Sequence, residues 1–130
     1  MKRIADLVLI LLFIGFNSVS CEPAKNSDTS LLTPQELNSK KEKVILIDVR
    51  TPEEFASGHI EGAVNINIFD ENFKKELEAI DKDKAVSVYC KVGGRSAKAA
   101  AIMKEIGFNE VYDLRGGIKN WEKEGLEIVK

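Results

Sequence analysis

Cys90-Lys91-Val92-Gly93-Gly94-Arg95-Ser96 holds the residues best suited to chemistry. A cysteine closes the apolar run Ala85–Tyr89, two glycines follow, and Arg95 and Ser96 open a helical pattern from Ala97 to Ile106. A free thiol titrates near pH ~8.5 and is mostly protonated at neutral pH. The reactive thiolate is stabilised by a helix N-terminus, by inward-pointing amides and by a nearby cation. Gly93 and Gly94 allow consecutive N–H groups to turn toward one centre. Arg95 falls in the first helical turn, where a cation is unfavourable to the helix. A bound anion would explain its placement. Ser96 can hydrogen-bond the sulfur or the loop, and Lys91 adds a positive charge at the rim. The structural alternative is a buried cysteine followed by an ordinary glycine turn. The pattern Cys-x-x-Gly-x-Arg-Ser at a strand-to-helix junction weighs against that alternative.

Other candidate groups are few. Cys21 and Cys90 are the two cysteines and His59 is the one histidine, at spacings that suit neither a disulfide framework nor a metal, so no metal site is expected. His59 is the candidate general base, although a lone histidine in a tight turn commonly bonds to backbone. Asp48 and Arg50 close the apolar run Val44–Val49. They either face a ligand-bearing edge or pair with each other. No acid or histidine adjoins Cys90 in sequence, and a loop that activates by amides and charge needs no base.

The elements that must position these residues follow from hydrophobic periodicity. The 130 residues suffice for one domain. Thr33-Pro34-Gln35-Glu36 and Thr51-Pro52-Glu53-Glu54 are helix starts, each with a capping residue, a proline and an acid. The run Val44–Val49, rich in β-branched residues, suits a strand buried on both faces. Short strands are also expected within Gly58–Ile66, at Ala85–Tyr89 and at Glu110–Leu114. Helices are expected over Glu71–Ile80, after Ser96 and after Gly117. Such alternation, with connections too long for hairpins, implies parallel strands joined by helices. Asp48–Arg50, Cys90–Ser96 and Leu114–Gly117 all follow strands, so all three can meet at one carboxyl edge. The net charge of −2 excludes a nucleic-acid surface, and any anion must be recognised locally.

The N-terminal segment has its own pattern. Met1-Lys2-Arg3, the apolar run Leu7–Phe16 and the small residues before Cys21 resemble a secretory signal over residues 1–20. Cys21 is expected to be lipidated after cleavage, with residues 21–30 as a tether and 31–130 as the domain. An ordinary signal peptide and an uncleaved anchor are the alternatives. The protein is thus expected to be exported, as a periplasmic or membrane-anchored lipoprotein.

From residue 31 to 128 the chain resembles a single-domain rhodanese. Asp48-Val49-Arg50, Glu54-Phe55 and Gly58–Asn65 resemble the first signature of that family. Cys90–Ser96 resembles its active-site loop, and Leu114-Arg115-Gly116-Gly117-Ile118 with Trp121 its closing signature. The resemblance implies an α/β three-layer sandwich, with a central five-stranded parallel sheet flanked by helices. It implies that Cys90 takes the outer sulfur of a donor such as thiosulfate and becomes a persulfide. Cyanide, a small thiol or a protein would then accept the sulfur. Amides from Lys91 to Ser96 would cradle the persulfide, and Arg95 with Lys91 would favour a doubly negative donor. No metal or organic cofactor is implied, and a monomer is expected. Phosphatases and arsenate reductases on this fold carry a longer loop than the four residues between Cys90 and Arg95. Regulatory, non-catalytic relatives typically lack the cysteine.

Overall fold

The computed structural model describes residues 29–130, so the expected signal segment and Cys21 lie outside the described residues. Its elements are β1 (Ser30–Leu32), α1 (Pro34–Lys40), β2 (Ile45–Asp48), α2 (Pro52–Ser57), β3 (Val64–Asn65), α3 (Phe73–Leu77), β4 (Val86–Tyr89), α4 (Gly94–Glu105), β5 (Val111–Leu114) and α5 (Gly117–Lys123). The strands form one sheet in the order β1-β5-β4-β2-β3, and every pairing is parallel. The expected α/β sandwich is therefore the fold.

Side-chain alternation along the strands builds two cores. Ile47, Val49, Val86, Val88 and Cys90 face one, where α3 adds Phe73 and Leu77 and α4 adds Ala99, Ala100 and Met103. Leu46, Tyr89 and Leu114 face the other, with Leu37 of α1 and Ile118 and Trp121 of α5. The alanine face of α4 lets that helix approach the sheet closely. This sets its N-terminus against the end of β4.

Local signals explain the ends of the helices. The Thr33 hydroxyl accepts from the Glu36 N–H at 3.2 Å, and the Thr51 hydroxyl accepts from the Glu54 N–H at 3.3 Å. Each such cap contributes about 1 kcal/mol. α4 ends in paired bonds from Gly107 N–H to Lys104 C=O (3.2 Å) and from Phe108 N–H to Met103 C=O (3.0 Å). Buried Phe108 and Met103 reinforce that end.

Several boundaries depart from the sequence expectation. α3 is shorter than Glu71–Ile80, because Asn72 makes no side-chain capping bond and Glu78 already turns back onto the Lys75 carbonyl. α4 begins three residues early, at Gly94. β1 has only three residues and no periodicity to betray it. It exists because Ser30, at the boundary assigned to the tether, pairs with Tyr112 while Leu32 is buried. The chain closes with an antiparallel bridge in which His59 and Val129 exchange two backbone hydrogen bonds of 2.8 Å.

Candidate active site

Cys90 follows β4 at the carboxyl edge of the sheet and is only 1% exposed. The Gly93 N–H donates to its Sγ at 3.0 Å, and the Ser96 Oγ lies 3.4 Å away. Burial is the largest influence on the thiol and opposes ionisation. The Ser96 hydroxyl and the amides of Ser96, Gly93 and Val92 together outweigh it and hold the Cys90 pKa below its ordinary value. The sulfur is therefore poised as a nucleophile although it is nearly enclosed.

The amide cradle has one special glycine, not two. Gly93 takes φ +123°, whereas Gly94 is the first helical residue with an ordinary φ. Gly93 makes the turn and Gly94 begins α4. The rest of the loop is aimed from below. The Ile118 N–H donates to the Cys90 carbonyl at 2.9 Å, and the Lys119 N–H donates to the Lys91 carbonyl at 3.1 Å. In a trans peptide the N–H points opposite to the C=O. Drawing these two carbonyls toward α5 therefore sends the Lys91 and Val92 N–H groups the other way, and the Val92 N–H is among the amides that favour the thiolate. Gly117, at φ +64°, makes the contact feasible, since a Cβ there would lie 2.4 Å from the Lys91 oxygen.

Arg95 is not held out for an anion. Its Nη1 and Nη2 bind the two carboxylate oxygens of Glu54 at 2.6 and 2.9 Å. Hydrogen bonding from Arg95 holds the Glu54 carboxyl down to about 2. The Arg95 guanidinium also sits 5.8 Å from the centre of the exposed Phe69 ring. Its fit to the first helical turn is explained by this ion pair with α2, which ties the loop to the Thr51-capped helix. Lys91 and Val92 are exposed at the rim.

Asp48 and Arg50 pair with each other. Arg50 Nη2 donates to Asp48 Oδ2 and to the Gly58 carbonyl, both at 2.7 Å, and both residues are buried. The Arg50 guanidinium lies over Tyr89, whose hydroxyl accepts from the Ile60 N–H at 3.1 Å. This cluster locks the end of β2 to the His59 turn and makes no hydrogen bond to Cys90. The expected supporting role of Asp48 and Arg50 is thus one of scaffold. His59 is engaged likewise: Nδ1 lies 3.0 Å from the Phe55 carbonyl, and its ring stacks on Phe55 at 3.7 Å.

Residues 33–124 match the family model described as Rhodanese-like domain. The chain belongs to that family. It is 34% identical over 119 residues to the uncharacterized protein YqhL of Bacillus subtilis, covering 90% of this chain and 93% of that one. It is 40% identical over 88 residues to a protein named Sulfurtransferase from Allochromatium vinosum, covering 68% of this chain and 80% of that one. A rhodanese-related protein from Thermoplasma volcanium superposes with a TM-score of 0.71 at 30% identity, covering 78% and 98% of the two chains. Within this rhodanese-like domain, sequence reasoning missed Glu54 as the partner of Arg95 and Gly117 as the support of the loop. It also passed over Asp113, a buried acid in β5. A charge inside the apolar stretch Val111–Leu114 was the available signal.

Proposed function

We propose that this rhodanese-like protein is a sulfurtransferase that works through a Cys90 persulfide. The observation carrying the proposal is the Cys90 sulfur at 3.0 Å from the Gly93 N–H, in a loop whose amides and Ser96 hydroxyl favour the thiolate. The thiolate attacks the outer sulfur of thiosulfate or a similar donor. The donor S–S bond breaks and its electron pair leaves with sulfite. An acceptor thiolate or cyanide then attacks the outer persulfide sulfur, and Cys90 departs as a thiolate. The loop amides, turned inward by the grip of α5 on the Cys90 and Lys91 carbonyls, stabilise the negative charge in each state.

Because Glu54 neutralises Arg95, charge recognition of a donor falls mainly to Lys91 and the loop amides. The four-residue separation of Cys90 and Arg95 favours a single sulfur over a tetrahedral oxyanion, which is why phosphate-ester hydrolysis is the weaker reading. Thiocyanate formation from thiosulfate and cyanide tests the proposal, with Cys90→Ser as the inactive control. Intact mass after thiosulfate treatment should show one added sulfur on Cys90. Turnover retained in Cys90→Ser, or faster hydrolysis of a generic phosphate ester, would refute the mechanism. Export is proposed from the basic start and the apolar run, and lipidation from the position of Cys21 where cleavage would fall; the intact mass of the membrane fraction tests it.

A further inference from the structure

We infer that the sheet edge around Cys90 docks a protein sulfur acceptor, one whose cysteine carries acidic residues on one side and an apolar residue on the other. The inference rests on the sulfurtransferase reading and names the acceptor class. Strand order sets the layout. β4, which delivers Cys90, lies between β5 and β2, with β3 beyond β2. The segment that follows β5 therefore flanks the thiol on one side, and those that follow β2 and β3 flank it on the other.

The β5 side is basic. Lys91, Arg115 and Lys119 are all exposed. Their backbones converge: the Lys119 N–H donates to the Lys91 carbonyl at 3.1 Å, and Arg115 lies two residues before Gly117, which packs against that same carbonyl. Among the described residues none of the three pairs with a carboxylate, although the chain carries a net charge of −2. The donor step gives a task to Lys91 alone and leaves Arg115 and Lys119 without one.

The β3 side is apolar and acidic. Phe69 is 69% exposed, yet its backbone is pinned. The Ile68 N–H donates to the Val49 carbonyl at 3.1 Å, the Phe69 N–H to Asn67 Oδ1 at 3.0 Å, and the Asp70 N–H to the Asn67 carbonyl at 3.1 Å. The contact of its ring with the Arg95 guanidinium sets Phe69 beside the active-site loop. Exposed Asp70 and Glu71 follow it. A fixed, solvent-facing aromatic ring next to a nucleophile suits contact with a partner.

The span selects the kind of partner. From β5 to β3 is three strand spacings, about 14 Å. A small thiol centred on Cys90 does not touch both sides, whereas a cysteine inside a polypeptide, with chain continuing in both directions, does. Acidic residues are drawn toward Arg115 and Lys119 and repelled by Asp70 and Glu71. Charge therefore fixes which way the partner lies, and its apolar residue meets Phe69.

The experiment measures disulfide exchange between the full chain and pyridyl disulfides of synthetic cysteine peptides. One peptide has aspartates on one side of the cysteine and leucine on the other; a second has lysines in place of the aspartates. The Cys90 thiolate attacks the peptide sulfur, the S–S bond breaks, and pyridine-2-thiolate leaves with the electron pair. Subtracting the Cys90→Ser rate removes any reaction at Cys21, and dividing by the rate with iodoacetamide cancels changes in thiol ionisation. The aspartate peptide should react about tenfold faster at low salt, with the advantage shrinking as salt rises. Arg115→Glu combined with Lys119→Glu should reverse the preference. Phe69→Ala should slow the aspartate peptide but not its glycine-for-leucine version. Equal rates for the aspartate and lysine peptides, a preference that survives the charge reversal, or no effect of Phe69→Ala overturns the docking surface. Should the reversed variant fail to fold, the salt dependence of wild type decides. No sulfur donor is used, so these results are distinct from failure of sulfur transfer; a thiol inert even to iodoacetamide would sink the nucleophile reading itself, and the docking surface with it.

Discussion

Gly117→Ala tests how the loop is aimed. The added Cβ would sit 2.4 Å from the Lys91 oxygen and 2.7 Å from the Cys90 oxygen, so the loop or the start of α5 must move. The φ of +64° costs a non-glycine residue about 1–2 kcal/mol. Displacing the loop also weakens the bonds from Ile118 and Lys119, at roughly 1 kcal/mol each. The total is about 3–4 kcal/mol. Gly125→Ala is the internal control. Its φ of +79° imposes similar backbone strain, but no atom lies within 4 Å of the added Cβ, so it should cost about 1–2 kcal/mol. Urea unfolding followed by the fluorescence of Trp121, the one tryptophan and a buried α5 residue, measures both. The pH dependence of Cys90 alkylation supplies the functional readout. In Gly117→Ala the misaimed amides should let the thiol pKa rise toward its ordinary value, whereas Gly125→Ala should leave it in place. Equal destabilisation by the two variants, with unchanged alkylation profiles, would refute the idea that α5 aims the loop.

Ser96→Ala removes the hydroxyl that favours the Cys90 thiolate, so alkylation should move to higher pH while the fold is retained. Arg50→Met strands the fully buried Asp48 and should cost about 3–5 kcal/mol in urea unfolding; adding Asp48→Asn should recover part of that loss. The Glu54 carboxyl is depressed from 4.5 to about 2, so its contribution to stability is fully present above pH 4.5 and fades as pH falls toward 2. The pair with Arg95 is partly solvated, so this contribution should stay below about 1 kcal/mol, measured as the difference in acid unfolding between wild type and Glu54→Gln.

Much of this was legible because it is local. Thr33 and Thr51 cap the helices that their proline-and-acid patterns announced. The continuous apolar run ending at Asp48 became a central strand, and Cys90 landed at a strand-to-helix junction. What escaped depends on contacts between distant segments. Position in the loop suggested that Arg95 served an anion, yet Glu54, 41 residues earlier, occupies its guanidinium. β1 is too short to carry a period and is defined only by pairing with β5. Gly117 reads as an ordinary helix-entry glycine until the Lys91 carbonyl is found against it.

These long-range contacts share one purpose. The α2 pair from Glu54, the α5 amides on the Cys90 and Lys91 carbonyls, and the α4 hydroxyl of Ser96 hold the loop from three sides. On the proposed mechanism the sulfur alternates among thiol, thiolate and persulfide, and it needs surroundings that do not rearrange at each step, because reorienting dipoles would cost part of the stabilisation they provide. Tying Arg95 to Glu54 gives up a free cation at the mouth and gains a fixed frame for the amides. On the proposed mechanism, donor affinity and nucleophile activation reside in different parts of the loop, with Lys91 at the rim and the amide frame at its base.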